Sequence, residues 1–165
     1  MLIRRLLASD ALVFQALRLA ALRDAPFAFS SSYEEECDTA LATVESHLGA
    51  RNLFGAFDGA ELVGMVGVGR DKGPKLQHKG YIAAMYVSEE HRGKGAGRLL
   101  LEHALAFAAS LQGLRQLTLA VTAGNAPAIT LYESMGFAVY GTEPSALCTG
   151  GVYHDNVLMA RSLES

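Results

Sequence analysis

The period of the apolar positions changes repeatedly along the chain, and each change marks an element. Leu2 to Leu7 reads as a first strand. From Asp10, which can cap a helix, Leu12, Ala16, Leu19 and Ala20 recur at helical spacing to about Arg23, where Asp24-Ala25-Pro26 stops the run. A shorter amphipathic helix is expected from about Thr39 to Leu48, ended by Gly49. Asn52 to Phe57 and Glu61 to Gly69 flank Asp58-Gly59, which predicts a β-hairpin closed by a type I′ turn. Tyr81 to Val87 then runs without a formal charge and reads as a central strand.

The second half alternates in the same way. Leu100, Leu101, Ala104, Leu105, Ala108 and Leu111 mark one face of a long helix that Gly113 terminates. Leu117, Leu119 and Val121 alternate with polar or small residues in a strand from Leu114 to Val121. Asn125 can cap a further helix to about Met135, with Pro127 in its first turn and Gly136 closing it. Phe137 to Tyr140 and Val152 to Ala160 are expected as the last two strands, joined by a loop from Gly141 to Gly151. The order β-α-α-β-β-β-α-β-α-β-β predicts an α/β fold with a mixed sheet and helices on both faces.

Composition narrows the class. The chain has 165 residues, half of them hydrophobic, enough for one domain over residues 1–165 with a sizeable core. A formal charge of −3 argues against general nucleic-acid binding. Cys37 and Cys148 lack metal-ligand spacing, and His47, His78 and His103 have no ligand-spaced partners, so no metal is expected. No apolar run reaches the length of a membrane span, and the N-terminus lacks a signal-peptide pattern, so a soluble cytoplasmic protein with no membrane partner is expected.

The chemistry concentrates in His91-Arg92-Gly93-Lys94-Gly95-Ala96-Gly97-Arg98, a basic glycine turn between the central strand and the long helix. N–H groups at a helix start have no acceptor inside the helix and sit at the positive end of its dipole. Alternate glycines let backbone approach an anion closely, and Arg92, Lys94 and Arg98 complement phosphates. The spacing is neither GxxxxGK[ST] nor GxGxxG. What remains is Arg-x-x-Gly-x-Gly at Arg92, Gly95 and Gly97.

That pattern, in the string from Met85 to Leu100, resembles the pyrophosphate loop of the GNAT superfamily of N-acetyltransferases. Asn125 to Phe137, ending in Gly136-Phe137, looks like that family's second block, at the required separation of one helix and one strand. The resemblance implies a mixed, mostly antiparallel sheet of about seven strands and acetyl-coenzyme A as co-substrate. It further implies that backbone from Arg92, Gly93, Lys94, Gly95, Ala96, Gly97 and Arg98 cradles the pyrophosphate. Met85, Tyr86 and Val87 would pair with the pantetheine arm as a neighbouring strand does, one of their N–H groups polarising the thioester carbonyl. Asn125 would hydrogen-bond the cofactor, and Tyr132 would act near the sulfur as general acid.

The acceptor is less constrained. Acidic residues at Glu34, Glu35, Glu36 and Asp155 would attract a cationic amine, and Phe27, Phe29 and Tyr33 could line its approach, with His154 opening the last strand. No carboxylate lies near Tyr81 to serve as the general base that some relatives carry. The glutamates, His154, Asp155 and relayed water all remain candidates, and none is singled out. A primary amine of a small molecule is the expected acceptor. Protein N-termini or lysines, and a non-catalytic acyl-coenzyme A sensor, are the alternatives. Family members are often dimers, so a homodimer through the last strands is a further expectation.

Overall fold

The computed structural model describes residues 1–164. Its seven strands form one sheet in the order β1-β2-β3-β4-β5-β7-β6. They are β1 (Leu2–Arg5), β2 (Asn52–Asp58), β3 (Glu61–Arg70), β4 (Lys79–Val87), β5 (Gln116–Thr122), β6 (Ala138–Thr149) and β7 (Val152–Ser162). The helices are α1 (Ala11–Asp24), α2 (Tyr33–Glu36), α3 (Leu41–Ala50), α4 (Ala96–Ser110) and α5 (Ala126–Ser134). Every neighbouring pair of strands is antiparallel except β4 and β5.

Strand alternation sends side chains to two separate cores. Leu53, Phe57, Leu62 and Met65 pack with Leu17, Ala21, Val44 and Leu48 of α1 and α3. Phe54, Val63, Val66 and Leu117 pack with Leu100, Leu101, Ala104 and Leu105 of α4 on the other face. Helices therefore cover both sides of the sheet, as the element order predicts.

The structure corrects three local expectations. The Asp10 carboxylate does not cap α1 from within. It turns back to accept from the Leu7 N–H at 2.8 Å and from both terminal nitrogens of Arg4 at 2.8 Å, closing a 3-10 turn before the helix. Gly49 lies inside α3, which continues because the His47 carbonyl accepts from the Arg51 N–H. The short helix α2 arises from a reciprocal cap in which Ser32 and Glu35 each accept the other's backbone N–H.

The third correction is the largest. Gly141 to Gly151 is not a loop, since most of it belongs to β6, and the hairpin turns only at Gly150-Gly151, both at positive φ. Its Gly, Pro and Ser content reads as loop, yet β6 is the sheet edge, where a proline's missing N–H removes no ladder bond. Register shifts between Val139 and Gly141 and between Glu143 and Leu147 take up the irregular residues as bulges.

Candidate active site

The site begins where the sheet opens. β4 and β5 pair in parallel only from Lys79–Tyr81 to Gln116–Thr118. Upstream of the opening β3 and β4 run in register, but Met65 faces Tyr86 while Gly67 faces Ala83, so β4 carries one extra residue. Ala84 sits in that bulge at φ 55°. A residue with a Cβ in left-handed backbone stores about 1–2 kcal/mol of strain. The bulge bends β4, and beyond Tyr81 its backbone no longer pairs with β5.

The glycine turn follows directly. A 3-10 turn over Glu89–His91 leads into Gly93 (φ 75°) and Gly95 (φ 85°), the residue before α4. No atom lies within 4 Å of where a Cβ would stand at either glycine. Gly97 serves differently: a Cβ there would meet Leu131 at 3.2 Å and Met85 at 3.4 Å, so this glycine lets α4 approach α5 and β4. The N–H groups of the first turn of α4 face outward without helical acceptors.

Arg92 turns away from the loop it opens. Its Nη2 donates to Asp24 Oδ2 at 2.6 Å, its Nε donates to the Val87 carbonyl at 2.9 Å, and its guanidinium lies over the Tyr86 ring. The Tyr86 hydroxyl donates to the same Asp24 oxygen at 2.9 Å. The end of α1, β4 and the glycine turn are thus tied at one carboxylate. The Tyr86 bond first, then Arg92, hold that carboxyl below the usual range against its burial. Arg98 pairs with Glu102 one turn on, and Lys94 stands exposed at the turn's apex. His91, 8 % exposed, lies 2.9 Å through Nδ1 from Ser88 Oγ.

One groove of about 1530 Å³ joins these parts. It passes through the opening between β4 and β5, from the α4/α5 layer to the α1/α3 layer. Met85, Tyr86, Val87, Arg92, Gly93, Gly95, Ala96, Gly97, Arg98 and Asn125 all line it, while Lys94 does not. Asn125 Oδ1 accepts from the Ala128 N–H at 3.3 Å and so caps α5, which leaves its amide NH₂ as the group able to reach a ligand.

Tyr132 also lines the groove. Its ring packs edge-on against Phe137, and the residue is only 7 % exposed. Burial pushes its phenol up to about 12, so the hydroxyl holds its proton at neutral pH. That hydroxyl hydrogen-bonds to no other described residue, and it is not sealed in the core.

The acceptor candidates divide between two places. Phe29 and His154 line the main groove, His154 stacking on Phe27 with ring centroids 5.2 Å apart. Thr122 Oγ1 donates to the Phe27 carbonyl, fastening the segment after α1 across the end of β5. Tyr33 and Glu34 instead line a smaller depression of about 710 Å³, next to the tip of the β6–β7 hairpin. Arg23 covers the Tyr33 ring. Among the three consecutive glutamates it is Glu36 that lines the groove, held by Arg18 in a two-bond pair at 3.0 and 3.1 Å.

Sequence reasoning missed Asp24, Arg18 and the Tyr86 hydroxyl. Asp24 lies 62 and 68 positions from its partners, and nothing in local spacing links them. Among the described residues there is no cluster of three metal-ligating side chains and no helix long and apolar enough to cross a membrane.

Comparison with known proteins agrees with this geometry. The chain is similar to the streptothricin acetyltransferase of Streptomyces lavendulae, 52 % identical over 64 residues that cover 39 % of this chain and 33 % of that one. It is similar also to the L-methionine sulfoximine/L-methionine sulfone acetyltransferase of Pseudomonas aeruginosa, 36 % identical over 81 residues, 49 % of this chain and 46 % of that one. The matches thus span a third to a half of the length of these relatives. The crystal structure of a GNAT-family acetyltransferase from Streptococcus pneumoniae superposes with a TM-score of 0.88 at 24 % identity, over 99 % of both chains. The model of the acetyltransferase (GNAT) family matches residues 15–137, a span that holds the bulged strand, the glycine turn and Tyr132, and the chain belongs to that family.

Proposed function

We propose that this chain transfers an acetyl group from acetyl-coenzyme A to the primary amine of a small molecule, with Tyr132 as general acid. The observation that carries the reading is the Tyr132 hydroxyl, protonated at neutral pH, unpaired, and placed on the groove that runs from the glycine turn through the opened sheet.

The glycine turn fits the donor's pyrophosphate, because the space a Cβ would fill at Gly93 and Gly95 is open and the N–H groups of α4 point outward beside it. Acetyl-coenzyme A, when bound, supplies the acetyl group as a reactive thioester. Backbone from Arg92 to Arg98 holds the diphosphate, with Lys94 adding charge from the apex. Met85, Tyr86 and Val87, freed from β5, offer N–H and C=O groups as a strand edge does, and one of these N–H groups polarises the carbonyl to be attacked. The Asn125 amide NH₂ donates to the cofactor. Tyr132 would give its hydroxyl proton to the sulfur as the C–S bond breaks, while the amine nitrogen forms the new C–N bond and loses a proton to solvent, from which the Tyr132 phenolate is reprotonated.

The relatives' named substrates, streptothricin and methionine sulfoximine, support a small-molecule acceptor over a protein. Phe29 and His154 form part of the acceptor end, with Tyr33 and Glu34 at its outer margin. Thiol release from acetyl-coenzyme A over an amine panel tests the reading. Tyr132→Phe is expected to lower kcat by about 10²–10⁴-fold with little change in KM for acetyl-coenzyme A. Wild-type kcat in that variant would remove Tyr132 from the role, and tight cofactor binding without turnover on any amine would favour a sensor.

A further inference from the structure

We infer that the acceptor bears a carboxylate or similar oxyanion beside its amine, and that Arg51 receives it. The inference rests on the acetyl-transfer reading and names its acceptor class.

The charges along the groove run opposite to what the acidic run 34–36 suggests. Among the described residues only two carboxylates line it, Asp24 and Glu36, and both are engaged, the first by Tyr86 and Arg92, the second by the fork of Arg18. Glu35 caps Ser32, and Asp155 accepts from the Ser145 N–H. Among the described residues no free carboxylate therefore lines the groove itself, Glu34 standing outside it in the smaller depression.

Arg51 differs from the other arginines of the groove. Arg18, Arg92 and Arg98 each pair with a carboxylate. The Arg51 guanidinium makes no ion pair or hydrogen bond among the described residues, although Arg51 lines the same groove. Arg5 Nη2 lies 3.3 Å from the Arg51 carbonyl and brings a second positive charge to that rim. The Arg51 charge also acts on Glu36: burial raises that carboxyl, but Arg18, with Ser31 and Arg51 adding, holds it below the usual range.

A positive rim suits the chemistry at both ends of such a substrate. A carboxylate gains a planar, two-donor partner in a guanidinium. A neighbouring cation also lowers the pKa of the acceptor amine, which raises the neutral fraction able to attack. Leu19, Phe29, Val44 and Leu53 supply apolar walls for an uncharged side chain. The fitting class is an amino acid with an uncharged side chain. Polyamines fit poorly.

Steady-state thiol release decides the matter, using the full chain, acetyl-coenzyme A, the standard amino acids with uncharged side chains, their carboxamides, and spermidine. The free acid should exceed its carboxamide in kcat/KM by about tenfold or more. Arg51→Gln should bring that ratio toward one by raising KM for the acid, and Arg51→Lys should restore part of it. A carboxamide or spermidine used as well as the acid, or a ratio that persists in Arg51→Gln, overturns the inference while leaving acetyl transfer intact. Thiol release from no amine overturns the acetyl-transfer reading instead. Calorimetric titration of the free acids then decides recognition separately: binding lost in Arg51→Gln upholds it, and no binding ends it.

Discussion

One glycine and two tyrosines show how single residues set this site. Gly95 stands at φ 85° with open space where a Cβ would point, so Gly95→Val meets backbone strain rather than a clash. The strain, about 1–2 kcal/mol, falls on the turn that presents N–H groups to the groove, and KM for acetyl-coenzyme A should rise well above any change in kcat. Steady-state kinetics on a variant with a normal circular dichroism spectrum checks this. Tyr86 and Tyr132 are both pushed up to about 12, chiefly by burial. A phenol in the unfolded chain gives up its proton near pH 10, so the unfolded state gains first as the pH rises. The contribution is fully present below about pH 10 and is lost as the pH climbs toward 12. Denaturant unfolding across that window should reveal falling stability, with a shallower slope in Tyr86→Phe and in Tyr132→Phe.

Between elements, the decisive link is the carboxylate of Asp24, where α1, β4 and the glycine turn meet. Asp24→Asn keeps the shape but removes the charge that Arg92 faces. Stability should fall by about 1–2 kcal/mol, since Arg92 is half-exposed. KM for acetyl-coenzyme A should rise several-fold as the turn loosens. An unchanged KM would mean the turn is held by its own backbone alone. This link also marks how far sequence reaches. Periodicity located the strands, the glycine turn and the long helix, because those signals lie within a few residues of one another. The pairing of Asp24 with residues more than sixty positions away leaves no local trace. Likewise, the composition of Gly141 to Gly151 points to a loop, because edge position and bulges, which tolerate Pro144 and Ser145, depend on strand order.

At the scale of the molecule, the sheet behaves as two units, β1 to β4 and β5 to β7, joined by three parallel register pairs and the α4 crossover. The groove occupies the gap left by that brief seam. The free edge of β6 has a separate consequence, for colloidal behaviour. An open strand invites pairing with other chains. Here Pro144 offers no N–H, and Ser145, at φ 49°, donates its own N–H inward to Asp155. The edge is thus broken midway and cannot template a continuous ladder. Replacing Pro144 and Ser145 together by Val and Thr should straighten it, and light scattering during mild heating should register earlier aggregation.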